Sequence, residues 1–340
     1  MTRAMWRRLA KLAGTLAIAG ACLGYILWKI DIGKTVDVIG NARLPYFIAA
    51  VAITIAVIFP LSWRWQRLLA ARGVADPLSW LTRTYFVSYA VAQVLPTSLG
   101  GDAARIFDGS RRHRSEGGAV AGSVLLERAL GGAATLTLAA VGFVFAIGRY
   151  DIGPYLWIEL LFVVAAAAAG VVLFSRRMRR PLGLLVPVLT RLRIVRPLRA
   201  VYLGIHAYRG HARLLASMSL LTLVVQALRV MGIWLVGKSV GVDLPPRPYF
   251  VMGPMLFLVM LVPFTVNGIA VREAFFVNFL GQLHVGADKA FATGFLFFAL
   301  SLATAVPGAL ILLWETIFGR RRVHPVTSEG RLPGDPAGPS

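Results

Sequence analysis

A ten-residue motif occurs twice in the chain, once in each half, and each copy interrupts an apolar run. Residues 96–105 read PTSLGGDAAR, and residues 263–272 read PFTVNGIAVR. Pro, Gly and charged side chains are unfavourable inside a membrane helix, so each copy marks a break in one. Breaks at corresponding positions of two halves are typical of carriers with a central site at the breaks. The matching positions are Pro96/Pro263, Ser98/Thr265, Leu99/Val266, Gly101/Gly268, Ala103/Ala270 and Arg105/Arg272.

The composition indicates an all-α polytopic membrane protein. Hydrophobic residues make up 57% of the 340 residues, charged residues make up 15%, and the mean hydropathy is +0.71. No soluble domain of this size is so apolar. The net charge of +21 lies in short Arg blocks beside apolar runs, which is the positive-inside pattern. We therefore expect the basic loops to face the anionic inner leaflet and predict no nucleic-acid partner.

Most of the apolar runs reach the roughly 20 residues that cross a bilayer core. Two runs are shorter, and each leads directly into a copy of the motif. The first run is too long for a typical signal peptide, so we interpret it as a retained helix. The runs are approximately 9–28, 45–62, 79–95, 118–147, 155–174, 214–236, 249–263 and 290–314.

The distribution of Lys and Arg predicts opposite entry faces for the two motif-bearing segments. Residues 176–213 carry ten Arg and no acid, so they are assigned to the cytoplasm. A hairpin over 79–110 then enters from the cytoplasm and turns at 96–101, whereas a hairpin over 249–283 enters from outside and turns at 263–268. The positive charges that set the inner side of the first half are Arg3, Arg7, Arg8, Lys11, Arg64, Arg67, Arg72 and Arg83.

The predicted architecture is therefore six full spans plus two re-entrant helical hairpins in an inverted-topology repeat. Both termini are expected in the cytoplasm, and the membrane is expected to be the bacterial inner (cytoplasmic) membrane. Eight or more ordinary spans with a coincidental motif remain the alternative. Small residues such as Gly20 and Gly24 fit helix packing within one chain or between chains, so a homo-oligomer stays open.

The chain is predicted to form a single transmembrane domain over residues 1–322. Its first half covers about 1–175, a basic cytoplasmic linker covers 176–213, and its second half covers 214–322. Within the linker, residues 193–205 fit an amphipathic interfacial helix or a plain basic linker, and both interpretations stay open. A disordered cytoplasmic tail is predicted over 323–340.

The two motif copies supply the candidate substrate-binding residues. A helix that begins after each Gly presents free N–H groups to an anion, and Arg105 or Arg272, one turn in, is suited to clamp a phosphate. The alternative is that each Arg pairs with a buried acid or caps carbonyls of the opposing hairpin. The candidate binding residues are Ser98, Gly100, Gly101, Arg105, Thr265, Asn267, Gly268 and Arg272.

Nearby charges supply candidate coupling or counter-charge residues: Asp102, Glu127, Arg128 and Glu273. Glu127 lies about ten residues into its span, roughly 15 Å along the helix, where an unpaired charge is costly. We expect it to pair with Arg105 or Arg272, or to take up a proton during transport. Gln226 and Arg229 share a helix face and either line the same cavity or form a static packing pair.

Sequence signals for an enzyme are weak, and we expect none of the residues to be catalytic. The five His residues form no metal-ligand spacing, and Cys22 is the only cysteine, so neither a metal, a cofactor nor an intramolecular disulfide is predicted. An intramembrane lipid-modifying transferase using Glu127 or Asp102 as base remains an alternative. A non-transporting partner subunit of an envelope-lipid assembly is another.

Three ordered motifs resemble the transmembrane, flippase-like domain of lysylphosphatidylglycerol synthases. They are P-x-x-x-G-G-D-x-x-R, a following E-R, and P-x-x-x-N-G-x-x-x-R-E. The resemblance covers roughly residues 10–318 and implies movement of an anionic or aminoacylated phospholipid, or a polyprenyl-phosphate-linked lipid, between leaflets. The residues that carry it are Pro96, Gly100, Gly101, Asp102, Arg105, Glu127, Arg128, Pro263, Asn267, Gly268, Arg272 and Glu273.

The full synthases also carry a soluble aminoacyl-transferase domain after the membrane part, whereas this sequence ends at residue 340. The resemblance therefore implies a stand-alone member without the tRNA-dependent synthetic activity. It leaves the identity of the lipid open.

Overall fold

The structure, a computed structural model, describes residues 31–94, 100–146, 157, 160, 161, 164, 208, 210–261 and 270–318. Within these ranges the chain is all-helical and contains no strand. The ten helices are α1 (Ile32–Gly40), α2 (Leu44–Ala56), α3 (Ile58–Ala70), α4 (Leu78–Val94), α5 (Gly100–Arg112), α6 (Gly117–Ala146), α7 (Ala212–Ser239), α8 (Arg247–Leu261), α9 (Val271–Gln282) and α10 (Ala287–Ile317).

Four of these helical segments are long and apolar enough to cross a membrane. They are Leu44–Ala70, in which α2 and α3 join at Val57, Gly117–Val144, Ala212–Ser239 and Ala287–Ile317. They coincide with the predicted runs at 45–62, 118–147, 214–236 and 290–314, which confirms a multi-pass membrane protein. The predicted runs at 9–28 and 155–174, the segment 193–205 and the tail 323–340 lie outside the described residues, isolated positions apart.

Local sequence signals explain several helix boundaries. The Asp31 side chain accepts a hydrogen bond from the backbone N–H of Lys34 at 3.2 Å and so caps α1. Pro45 occupies the first turn of α2, where its missing N–H costs no helical hydrogen bond. After α7 the chain reverses at Gly241, whose φ of +75° is a conformation that glycine adopts without strain.

The short helices pack in a reciprocal pattern across the two halves. The pair α4–α5 packs against α6, the next helix in its own half, while α4 also packs against α10 of the other half. The pair α8–α9 likewise packs against α10, while α8 packs against α6. Each half therefore contributes its long helix to the packing of the first short helix of the other half.

Glycines allow both of these cross-half contacts to be close. A Cβ added to Gly142 on α6 would lie 2.5 Å from the carbonyl oxygen of Phe250 on α8. A Cβ added to Gly308 on α10 would overlap the carbonyl oxygen of Phe86 on α4. Because both obstacles are backbone atoms, neither contact can be relieved by a change of rotamer.

The two short pairs open toward opposite ends of the bundle. Asp76, just before α4, accepts a hydrogen bond from Arg112 at the end of α5, so the start of α4 lies close to the end of α5. Arg83 near the start of α4 donates to both carboxylate oxygens of Glu315 near the end of α10. The start of α8 instead contacts the last part of α6 through Phe250. The start of α4 and the end of α5 therefore lie beside the C-terminal end of α10. The start of α8 lies beside the C-terminal end of α6.

Candidate functional site

The carboxylate of Glu127 on α6 is the centre of a buried charge network. The residue is 2% exposed. Arg64 donates from Nε to its Oε1 at 3.0 Å, and Arg105 donates from Nη1 to its Oε2 at 2.6 Å. The Tyr85 hydroxyl lies 2.9 Å from both carboxylate oxygens. Three helices, α3, α4 and α5, therefore converge on one carboxylate of α6.

Asp102 extends the network toward the less buried side of α5. It accepts from Arg105 Nη2 at 2.9 Å and from Arg128 Nη1. The side chains of Arg64 and Glu127 are 6% and 1% exposed, whereas those of Asp102 and Arg128 are 27% and 33% exposed. Guanidinium and carboxylate groups thus alternate from the interior outward, and three cations face two anions.

Aromatic and hydroxyl groups surround the two inner arginines. The Arg105 guanidinium carbon lies 4.2 Å from the ring centroid of Tyr85 and 5.0 Å from that of Trp65. These distances allow cation–π attraction that is strengthened by desolvation. Arg64 Nη1 donates to the hydroxyl of Thr222 on α7 at 2.7 Å, which ties the network to the second half of the chain.

A second group of polar side chains lies one helical turn from the Glu127 network, measured along α4 and α7. Arg229 Nη2 donates to the Tyr89 hydroxyl at 2.7 Å, and its Nη1 donates to Gln226 Oε1 at 3.3 Å. Gln226 Nε2 in turn donates to the Thr135 hydroxyl on α6 at 2.7 Å. The predicted pairing of Gln226 with Arg229 on one helix face is therefore present, and it also reaches α4 and α6.

The second copy of the motif has a smaller cluster. Arg272, 1% exposed, donates from Nε to Oε1 of the adjacent Glu273 at 3.0 Å, and its guanidinium lies 5.0 Å from the ring of Phe298. Glu273 Oε2 accepts the backbone N–H of Ala270 at 2.8 Å. Ala270 itself has φ +69°, a strained conformation for a residue with a Cβ. Nη1 of Arg272 is buried without a hydrogen-bond partner among the described residues.

Polar groups also close the bundle ends outside the spans. The buried Asp76 carboxylate accepts from Arg112 Nε at 2.6 Å and contacts His113 Nε2 at 2.8 Å. Burial raises the pKa of Tyr208, whose hydroxyl donates to the Leu68 carbonyl, to about 12. At the other end, a hydrogen bond from Lys238 lowers the pKa of the exposed Asp243.

The structure brings together four of the predicted site residues: Asp102, Arg105, Glu127 and Arg128. Glu127 pairs with Arg105, one of the two partners expected for it, whereas Arg272 pairs with Glu273. Gly100, which is buried, and Gly101, which is half-buried, begin α5, and a Cβ on Gly101 would lie 2.7 Å from the Ser88 carbonyl oxygen. Gly101 thus permits close packing of α5 on α4. The candidates Ser98, Thr265, Asn267 and Gly268 lie outside the described residues.

Sequence reasoning missed three members of the network: Arg64, Tyr85 and Thr222. We assigned Arg64 to the positive charge that flanks the second span, and that assignment is wrong, because Arg64 is 5% exposed within α3 and bonded to Glu127. The available signal was that the helix continues to Ala70, which places Arg64 inside a span. Tyr85 and Thr222 carry no comparable signal, because hydroxyl-bearing residues are common in membrane helices.

The comparison with known families agrees with this geometry. A family model described as "Lysylphosphatidylglycerol synthase TM region" matches residues 12–308. The match covers both copies of the motif and both charge clusters. No curated protein was found to match the chain.

Proposed function

The chain belongs to the lysylphosphatidylglycerol synthase TM region family, and on that premise we propose that it is a lipid flippase-like transporter. It moves a phosphate-bearing lipid between the leaflets of the bacterial inner membrane. The candidate substrates are an anionic or aminoacylated phospholipid and a polyprenyl-phosphate-linked lipid. The lipid leaves the protein chemically unchanged, so the protein is not an enzyme.

The observation that carries this proposal is the reciprocal packing of the two halves. Because α4 packs on α10 while α8 packs on α6, the packing is reciprocal, and this supports equivalent roles for the two pairs in an inverted repeat. Two equivalent arrangements of nearly equal energy are what alternating exposure of a central site requires. A rocking motion that loosens one cross-half contact can tighten the other.

Helix lengths support the proposed six spans and two re-entrant hairpins. The 13 residues of α5 and the 12 residues of α9 correspond to about 20 Å and 18 Å of helix, less than the roughly 30 Å of a bilayer core. Such short helices reach the middle of the membrane and leave on the side from which their pair entered. Both termini of the chain are then cytoplasmic, as the Arg distribution predicts.

The charge network suggests how a phosphate is bound. In this structure Arg105 donates hydrogen bonds to both Glu127 and Asp102. It therefore binds a phosphate when the phosphate replaces one of these two carboxylates. Glu127 keeps Arg64 after the exchange, and Asp102 keeps Arg128, so neither acid is left unpaired. The carboxylate of Glu127 already accepts from three donors, Arg64, Arg105 and Tyr85, which suits a fixed counter-charge better than a proton carrier.

The test is exchange of a head-group-labelled lipid in proteoliposomes, in which the outer-leaflet label is destroyed chemically. Wild type is compared with Arg105→Ala/Arg272→Ala and with the matched control Arg111→Ala/Arg247→Ala. Both control arginines are exposed, one on α5 and one at the start of α8. Anionic, aminoacylated and polyprenyl-phosphate lipids are each tried, with and without a proton gradient.

We expect exchange by wild type and by the control, and loss of exchange in the Arg105/Arg272 variant with folding intact. Recovery of a chemically altered lipid after incubation with a donor would instead identify a transferase. If folded wild-type protein exchanges no lipid of any class, the transport proposal is wrong and a partner-subunit role replaces it.

A further inference from the structure

Arg229 is a cation on a membrane-spanning helix whose partners among the described residues are neutral. It lies near the middle of the 28-residue α7 and is half-buried. Its two hydrogen bonds go to the Tyr89 hydroxyl and the Gln226 amide. Among the residues that the structure describes, no carboxylate forms an ion pair with it. A guanidinium at this depth without a counter-charge is costly, so an anion would stabilise it strongly.

The position of Arg229 relative to the Glu127 network is fixed by two pairs of residues. Tyr85 and Tyr89 are four residues apart on α4, and Thr222 and Gln226 are four residues apart on α7. Tyr85 and Thr222 are hydrogen-bonded to members of the Glu127 network. Tyr89 and Gln226 are hydrogen-bonded to Arg229. One helical turn, about 6 Å, therefore separates a layer in which arginines are paired with carboxylates from a layer in which the arginine is not.

We propose that Arg229 binds the phosphate group of a lipid head group at this second layer. Its guanidinium offers a planar fork that matches two phosphate oxygens. The Tyr89 hydroxyl accepts from Arg229 and so keeps its own hydrogen to donate to the same phosphate. The Gln226 carbonyl oxygen is held by Arg229 and its amide by Thr135, so the cradle is pre-organised.

The role of this site in transport rests on the proposed function. A phosphodiester that leaves Arg105 for the middle of the membrane needs a cation there, because an unpaired phosphate costs as much in hydrocarbon as an unpaired guanidinium. Arg229 supplies that cation without a resident carboxylate that the lipid must displace. The substrate class that fits one such guanidinium is a lipid with a single phosphodiester charge.

The first experiment measures binding rather than transport. The melting temperature of purified protein is followed in nanodiscs of phosphatidylcholine with increasing fractions of phosphatidylglycerol, and in phosphatidylcholine with added inorganic phosphate. The variants are Arg229→Gln, Arg229→Lys and Tyr89→Phe. Arg213→Gln is the matched control, because Arg213 is exposed near the start of the same helix.

We expect phosphatidylglycerol to raise the melting temperature of wild type and of Arg213→Gln, and not of Arg229→Gln. The Tyr89→Phe variant should still respond but need more phosphatidylglycerol, because it loses one hydrogen bond to the phosphate and keeps the guanidinium. The Arg229→Lys variant keeps the charge but loses the fork, so it should need about tenfold more phosphatidylglycerol, the factor expected for one charge-assisted hydrogen bond. This variant also keeps the proposal testable if Arg229→Gln fails to fold.

Three outcomes would overturn the proposal. An unchanged response in Arg229→Gln, or in Arg229→Lys if only that variant folds, would show that the arginine does not bind the lipid. A response lost equally in Tyr89→Phe would show that Arg229 only ties α7 to α4. An equal response to inorganic phosphate would show that the ligand is the free anion.

The lipid-exchange assay separates this proposal from the transport proposal. If wild type exchanges lipid and Arg229→Gln exchanges it at least about tenfold more slowly, both proposals hold. If wild type exchanges no lipid but phosphatidylglycerol stabilises it only when Arg229 is present, the lipid site stands and the transport function fails. If exchange is unaffected by Arg229→Gln, the site is not on the path of the lipid.

Discussion

The pair α4–α5 and the pair α8–α9 share a backbone plan and a motif, but different chemistry holds them in place. In the first pair, Tyr85 and Arg105 are bonded to Glu127 of the adjacent α6. In the second pair, Phe276 and Phe279 of α9 are fully buried in an apolar cluster with α7, α8 and α10. The first pair is therefore held mainly by shared charges and the second mainly by packed apolar side chains.

One corresponding position illustrates the difference. At the spacing that separates Arg105 from Arg272, Glu127 corresponds to Gly294. A Cβ on Gly294 would lie 3.1 Å from a ring carbon of Phe276 and 3.3 Å from the Cα of Glu273. A side chain at this position would crowd Phe276 and the backbone of Glu273, and the acid of the second half lies next to the arginine, at Glu273. The two motif-bearing helix pairs thus differ in their electrostatics.

This comparison indicates which pair is built to exchange partners. Hydrogen bonds between charges can be passed to a ligand one at a time, because the ligand replaces the group it displaces. A packed aromatic cluster has no such replacement, since opening it leaves a void. We therefore expect ligand-linked exchange of hydrogen-bond partners at α4–α5, whereas the apolar cluster around α9 should stay packed during transport.

The largest expected effect comes from removing the carboxylate of the first pair. Glu127→Leu leaves Arg64 and Arg105 buried without their shared anion, and we expect it to destabilise the protein by about 3–5 kcal/mol. The double variant Glu127→Leu/Arg105→Leu should recover part of this loss, because it buries one uncompensated charge fewer. Thermal unfolding in detergent measures both. Equal melting temperatures for the single and double variants would mean that charge pairing does not hold this pair.

Two buried tyrosines sharpen the comparison directly. Tyr85→Phe removes a hydrogen bond to a carboxylate and should cost about 1.5–3 kcal/mol. The Tyr249 hydroxyl on α8 is buried with no hydrogen-bond partner among the described residues, so Tyr249→Phe should be neutral or stabilising. The two melting temperatures, measured side by side, check this. A loss at Tyr249→Phe as large as at Tyr85→Phe would contradict the apolar character assigned to the second pair.

The cross-half contacts are expected to respond alike in the two halves. Gly142→Ala and Gly308→Ala each force a methyl group into the backbone of the opposing short helix, and each should cost about 1–3 kcal/mol. Gly131→Ala on α6 is the control, because nothing lies within 4 Å of its added Cβ. If only one of the two glycines is sensitive, the halves are not equivalent in packing, and the alternating mechanism loses its main support.

The smallest effect is expected at the loop between α7 and α8. Asp243 is fully exposed, and Lys238 lowers its pKa, so its carboxylate stays charged at neutral pH. A lowered pKa contributes stability at a pH above the ordinary pKa of Asp. This contribution is lost as the pH falls toward the lowered pKa of the folded state. Since solvent screens this pair, Asp243→Asn should melt like wild type between pH 5 and pH 8. A clearly lower melting temperature of Asp243→Asn in that pH range would indicate a structural role for the loop between α7 and α8.

Much of the fold could be predicted from short-range sequence patterns. Apolar run length located the four described spans, and the paired Pro/Gly breaks located the short helices before and after each break. The pairing of Asp102 with Arg105 also follows from spacing, because residues three apart share a helix face. What could not be predicted were contacts between helices distant in sequence, such as Arg64 with Glu127. For Arg64, flanking-charge logic gave the wrong environment, since an arginine near the end of an apolar run suits a loop and a buried ion pair equally.

The sequence by itself determined that this chain is an all-α membrane protein and where its four described long apolar helices lie. These features depend on hydropathy and backbone chemistry, which each residue carries regardless of its neighbours in space. The tertiary structure alone decided which arginine is neutralised by which acid, that the described partners of Arg229 are neutral, and that Gly294 packs closely against Phe276 and Glu273. These features depend on distances between helices, and a buried charge is stabilised or penalised by the groups within a few ångströms of it, whatever their place in the sequence.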